Sequence, residues 1–205
     1  MMCLSAAGLC TLLGSAAAAE SIVYRFQAER SDDGTVEPPE GSLAGRAAKM
    51  PRISGRFGYD RQAPVVFATG IPAQVAFAAY EKGFIQVDDL DLRRIAAEPE
   101  IRVTDGMTRE DDPRMTIPDG LSMGLNPGVT ETPAEYLSLE FRFADAEQWQ
   151  GTDLPVVLDL AAAARAHLRF AVLVGTSNPG GGARSGTTEI LGSVTFVITS
   201  IQRVE

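Results

Sequence analysis

Residues 53–60 read ISGRFGYD, and their alternation decides the fold class. Ile53, Gly55, Phe57 and Tyr59 fall on one side of the pattern, with Ser54, Arg56, Gly58 and Asp60 on the other. Successive side chains of a strand point to opposite faces, so a period of two marks a half-buried β-strand. Asp60 leads into Arg61-Gln62-Ala63-Pro64, a polar segment whose proline fits a turn. The phrase reads as framework, with Phe57 and Tyr59 packing one face, and not as a site of chemistry.

The same alternation recurs along the chain. Ile22, Tyr24 and Phe26 share one face of an opening strand, and Val75, Phe77 and Ala79 share another within QVAFAAY. Short apolar runs follow at 83–87 and 100–104, with a brief strand-like piece at 115–117. YLSLEFRF, 136–143, sets Leu137, Leu139, Phe141 and Phe143 against Tyr136, Ser138, Glu140 and Arg142. HLRFAVLV, 167–174, alternates again, and 188–204 reads as one long strand or a bulged pair bending at Gly192.

Between these runs, 31–51 and 105–119 are polar and proline-bearing and read as loops, as does the glycine-rich 175–186. Only Asp159–Ala166, DLAAAARA, favours helix, for about two turns. Many short strands without a sustained helical period predict an all-β chain, an antiparallel β-sandwich or jelly roll with one short helical segment. Crossover helices for a parallel sheet are missing from the pattern.

The first nineteen residues carry no charge and are rich in Leu, Ala, Gly and Ser. Leu4–Leu13 has the length of a secretory apolar core, and Ala17-Ala18-Ala19 supplies small residues for cleavage. The expectation is a signal peptide at 1–19 and a single domain at 20–205, periplasmic or secreted, with no membrane span after cleavage. The competing expectation is a retained anchor, although four leucines among small residues make a weak spanning helix. Both cysteines, Cys3 and Cys10, lie in this leader, so packing alone would hold the remainder. About 185 residues suffice for one core. The net charge is −9 with only two lysines, which disfavours binding to nucleic acid phosphates.

His167 is the single histidine, so multi-histidine metal sites are excluded and a serine triad would depend on it alone. It alternates with Leu168, which puts it on the solvent side of its strand, and no G-x-S-x-G elbow supplies a nucleophile. Asp88, Asp89 and Asp91, and Glu110, Asp111 and Asp112, are the candidate calcium ligands, although neither run has the D-x-D-x-D-G spacing. Arginines beside both runs offer ion pairing instead. No other cofactor is expected. A glycoside hydrolase would need two carboxylates roughly 5 to 9.5 Å apart. Glu140 and Asp145 near Trp149 are the candidate ligand-binding residues for that reading. Trp149 itself reads either as a core plug or as an exposed stacking residue. The loop GTSNPGGGARSG lacks the lysine of a phosphate cradle and does not open a helix.

Three phrases together resemble one family. The G-x-F-x-Y-D of ISGRFGYD, the stretch DLPVVLDLAAAARAHLRFAV and the closing SVTFVITSIQRV occur in the order found in exported bacterial PEP-CTERM-type proteins. The resemblance implies an exported β-sandwich of unassigned role in surface and exopolysaccharide biology, and it implies no catalytic residues. The sequence ends at Val204-Glu205 without that family's sorting segment, so that route is not carried over. The functional expectation is a non-enzymatic envelope or extracellular-polymer-binding protein, with extracellular polysaccharide or envelope proteins as partners. The alternatives are a secreted carboxylate-dependent glycoside hydrolase and a calcium-stabilised adhesion module.

Overall fold

The structure, a computed structural model, describes residues 21–71, 75–80, 83–108, 116–128, 130–144, 148–149, 151–176 and 187–204. Strands form where the sequence alternates. They are β1 (Ser21–Val36), β2 (Arg52–Asp60), β3 (Val65–Ile71), β4 (Val75–Tyr80), β5 (Gly83–Val87) and β6 (Pro99–Asp105). After them come β7 (Met107–Thr108), β8 (Thr116–Ile117), β9 (Gly120–Leu125), β10 (Ala134–Phe143), β11 (Ala163–Thr176) and β12 (Thr187–Arg203). Ten of them make one antiparallel sheet in the order β3-β4-β6-β9-β10-β11-β12-β1-β2-β5, while β7 and β8 pair separately. The sheet curls until β5 lies against β6 and β9, so it is nearly closed. The all-β antiparallel class holds, and the facing layers are opposite walls of this one sheet.

The alternation of ISGRFGYD decides which wall residues meet. Ile53, Phe57 and Tyr59 are buried, whereas Arg56 on the other side is exposed. The Phe57 ring stacks on Tyr24 from neighbouring β1, with centroids 5.2 Å apart, and reaches Phe141 of β10 on the opposite wall at 5.6 Å. Leu137, Leu139, Phe141 and Phe143 all point inward, as their spacing predicts. Gly55 leaves room for its own neighbours: a Cβ there would run into the Gln86 carbonyl of adjacent β5 and come within 2.7 Å of the Phe26 ring of adjacent β1.

Three local expectations change. Much of 31–51 is ordered: β1 continues to Val36 because β12 offers it a partner, with Ser31 opposite Thr195 and Val36 opposite Ser193. Backbone ladder bonds, which ignore side-chain polarity, extend the strand past its apolar part. A helical turn, α1 (Leu43–Ala47), follows, capped by Ser42, whose Oγ accepts the Gly45 N–H at 2.9 Å. Finally, DLAAAARA is helical only as a 3₁₀ turn at Leu160–Ala162; from Ala163 onward it is β11. Pairing of Arg165 with Arg142 and of Ala166 with Phe141 overrides the alanine helix preference. The expected bend at Gly192 is a bulge, since Val172 faces Gly192 while Leu173 faces Ile190, leaving Leu191 extra.

Both ends of the curled sheet are covered. Leu43, Ala44 and Ala47 of α1 are buried against β11 and β12 at one end, with Ile95 of the β5–β6 connection in the same core. At the other end the β10–β11 connection crosses as a strap. Tyr80 donates its hydroxyl to the Thr152 carbonyl at 2.7 Å, and Tyr59 donates to the Pro155 carbonyl at 2.8 Å. Tyr24 donates to the Val156 carbonyl at 3.4 Å and accepts the Leu158 N–H at 3.0 Å. Buried hydroxyls require such partners, and these tie three strands to one strap.

Burial pushes the pKa of all four tyrosines, Tyr24, Tyr59, Tyr80 and Tyr136, above the ordinary value near 10. A raised folded-state pKa favours the protonated phenol, so this stabilisation is complete below about pH 10 and is lost as pH climbs beyond it. At pH 10 the folded chain should therefore show little tyrosinate absorbance, while the urea-unfolded chain is about half ionised. On further titration, ionisation and unfolding should coincide. Half-ionised tyrosines in a chain with an intact circular dichroism spectrum would contradict this packing.

Candidate functional site

Among the described residues, one broad concavity lies on the outer wall, and a second, of about 340 Å³, borders Glu29, Arg52, Ser54, Asp88 and Asp89. On β6, β9, β10 and β11, Ile101, Met123, Leu139 and Leu168 face inward in register, so the residues beside them face outward. Two outward rows result. One runs Glu100–Gly124–Ser138–Arg169, and the next runs Arg102–Ser122–Glu140–His167. A groove of about 420 Å³ crosses these strands; its lining includes Ser122, Gly124, Ser138 and Ala171, and Glu100, Arg102, Tyr136, Arg169, Leu173 and Ile190 also border it. Small residues in register leave a low path between longer side chains, which is why the wall is concave here.

The polar chemistry of the groove is uneven. Arg102 Nε pairs with Glu100 Oε1 at one lip. Tyr136 donates its hydroxyl to the Gly128 carbonyl. Arg169 Nη2 donates to Ser193 Oγ at 3.2 Å, and that fully buried hydroxyl donates onward to the Gly34 carbonyl at 3.1 Å. Arg169 Nε is buried without an acceptor among the described residues.

The residues singled out from the sequence are dispersed. Trp149 is half-buried: its ring sits edge-on to Phe143 at 4.8 Å, and its Nε1 donates to the Thr104 carbonyl at 3.3 Å. Glu140 lies on the outer face, ion-paired with Arg142. It borders a smaller groove of about 240 Å³ in which it is the one carboxylate among the lining residues. Asp145, Glu110, Asp111 and Asp112 lie outside the described residues.

Asp88 accepts the Ser54 hydroxyl at 2.6 Å, and Asp91 pairs with Arg93 at 2.8 Å. The Arg93 hydrogen bond holds the Asp91 carboxyl below its usual range. Asp89 takes a left-handed φ of 65°. Among the described residues no three acidic, histidine or cysteine side chains gather in a way that could hold a metal ion.

His167 is half-buried on the outer face opposite Glu140; burial and Arg165 push its pKa below the ordinary value, while Glu140 and Asp33 pull the other way.

Asp119, passed over in the sequence as loop charge, is fully buried. Its Oδ1 accepts the Gly106 N–H at 2.7 Å and its Oδ2 accepts the Trp149 N–H at 2.9 Å. It clamps the strap to the end of β6. The groove also escaped sequence reading. Its one trace there was the small outward residues Ser122, Gly124 and Ser138, which mean little until register aligns them.

Compared with family models, with curated proteins and with solved structures, the chain matches none of them.

Proposed function

We propose that this is an exported, non-enzymatic protein that holds an extracellular polymer in the outer groove over β6 and β9–β12. The observation that carries the reading is an open groove of about 420 Å³ on the outer wall, floored by small residues in register. Rigid, pre-formed concavities with a few polar groups are the usual form of binding sites. A groove floored by serine and glycine suits a chain of hydroxylated units lying across the strands. Tyr136 adds aromatic edge, and Leu173 and Ile190 add apolar surface for sugar C–H faces.

Export through the apolar stretch at 1–19 and a place in the cell envelope belong to the same proposal, as does the kinship to PEP-CTERM-type proteins. The hydrolase alternative has less support, because Glu140 is paired with Arg142 and its groove brings no second described carboxylate to it.

The test is a thermal melt of the full chain with a panel of neutral and acidic polysaccharides. A polymer at 100 times its dissociation constant should stabilise the fold by about 2.7 kcal/mol, a rise of a few degrees. Ser138→Trp, which fills the groove from an exposed position, should abolish the rise. No rise with any polymer, or an undiminished rise in Ser138→Trp, would count against the reading.

A further inference from the structure

We infer that the groove selects carboxylate-bearing polysaccharide, and that Arg169 is the residue that recognises the carboxylate. The inference rests on the proposed polymer-binding function and names the class of polymer. Its starting point is a difference among arginines. Arg52, Arg93, Arg102 and Arg142, all exposed, each carry a carboxylate partner of their own, Glu29, Asp91, Glu100 and Glu140 respectively. Arg46 and Arg169 are half-buried instead, each with guanidinium nitrogen enclosed without an acceptor among the described residues. Of the two it is Arg169, bonded to the neutral Ser193 hydroxyl, that borders the groove.

A guanidinium has five N–H donors in a planar fork. One is used at Ser193, and Nε has no acceptor among the described residues. Removing a charge from water without a counterion is costly, which is why such groups are normally paired. Nε is enclosed, so an anion entering the groove that Arg169 borders would meet the terminal guanidinium nitrogens and supply the counter-charge from there. Carboxylate matches the guanidinium fork in shape as well as charge.

The arrangement also favours a polymer over a single small acid. Arg102 stands on β6 and Arg169 on β11, three strand spacings (about 14 Å) apart across the sheet and one outward row apart along it. Ser122, Gly124 and Ser138 lie between them. An extended ligand seated on Arg169 crosses this small-residue path toward the Glu100–Arg102 ion pair at the far lip. The overall charge of −9 does not forbid it, since at 0.15 M salt fields beyond about 8 Å are largely screened. Local charge then decides.

The experiment is a binding titration of the full chain with polygalacturonate, dextran and polyglutamate at 0.15 M salt, repeated for Arg169→Gln and Ser138→Glu. Ser138 lies directly opposite Arg169 in register, so Ser138→Glu supplies the absent carboxylate from within. The expected result is binding to polygalacturonate over dextran and polyglutamate, with affinity reduced at least tenfold in both variants. Ser138→Glu should do so with an undiminished melting temperature, which keeps the test decisive if Arg169→Gln folds poorly. Equal binding to dextran, unaffected by Ser138→Glu, would overturn the inference and leave the polymer-binding function standing. Binding to polyglutamate as tight as to polygalacturonate would overturn the assignment to sugar. Binding to none of the three, together with no thermal shift across the wider panel, would overturn both.

Discussion

Truncating Phe57 to alanine is expected to lower the unfolding free energy by about 3–5 kcal/mol, the range for emptying a buried aromatic site. Phe57 is fully buried and contacts rings from both sides of the interior: Tyr24 and Phe26 on β1, and Phe141 on β10. The walls belong to one hydrogen-bonded sheet, so a void here cannot be filled by sliding one layer over another. Tyr24 also anchors the strap, so the loss should spread to that end. Phe57→Leu keeps apolar contact and most of the volume, and should cost markedly less. Urea denaturation of both variants measures the difference through the midpoint at unchanged slope. A loss below about 1 kcal/mol in Phe57→Ala would mean that the walls do not meet at this ring.

The second large effect is expected at Asp119. Replacing it with alanine leaves the Gly106 and Trp149 N–H groups, both part-buried, without their acceptor. Each unsatisfied buried donor costs about 1–3 kcal/mol, so the sum is roughly 2–6 kcal/mol unless water enters. Asp119→Asn retains one acceptor oxygen and should fall between alanine and the wild type. The change has a local reporter, because Trp149 is the single tryptophan and its ring packs on Phe143. In Asp119→Ala its emission should move to longer wavelength at denaturant concentrations below global unfolding. Emission that moves only with the global transition, at wild-type stability, would contradict the clamp.

How far the sequence could be read depends on the range of the interactions involved. ISGRFGYD and YLSLEFRF announce their inward faces because burial against a core imposes a period of two on the residues themselves. The bulge near Gly192 was legible because a glycine within a long strand marks a bend or a close approach, and here Pro38 and Pro39 cross directly over it. What escaped was set by partners distant in sequence. DLAAAARA has helix propensity and becomes strand because β10 is beside it. The polar tail of β1 becomes strand because β12 is long enough to pair with it. Asp119 resembles any turn aspartate until Gly106 and Trp149 are brought to its carboxylate. The groove depends on register across four ladders, so no single stretch announces it. The acidic runs were conspicuous in sequence; of the described members, Asp88 and Asp91 are engaged with Ser54 and Arg93, and Asp89 takes a left-handed turn.

The central claim is that this protein works through its outer wall and not through its interior. The most direct test is a backbone amide spectrum of the full chain, isotope-labelled, titrated with polygalacturonate oligomers. The expected result is a confined set of shifted signals from Arg102, Ser122, Gly124, Tyr136, Ser138 and Arg169, with Phe57, Tyr59 and the strap from Thr152 to Leu158 unchanged. Shifts centred on the strap and the tyrosines beneath it, with the groove silent, would contradict the claim and place binding at the covered end of the sheet.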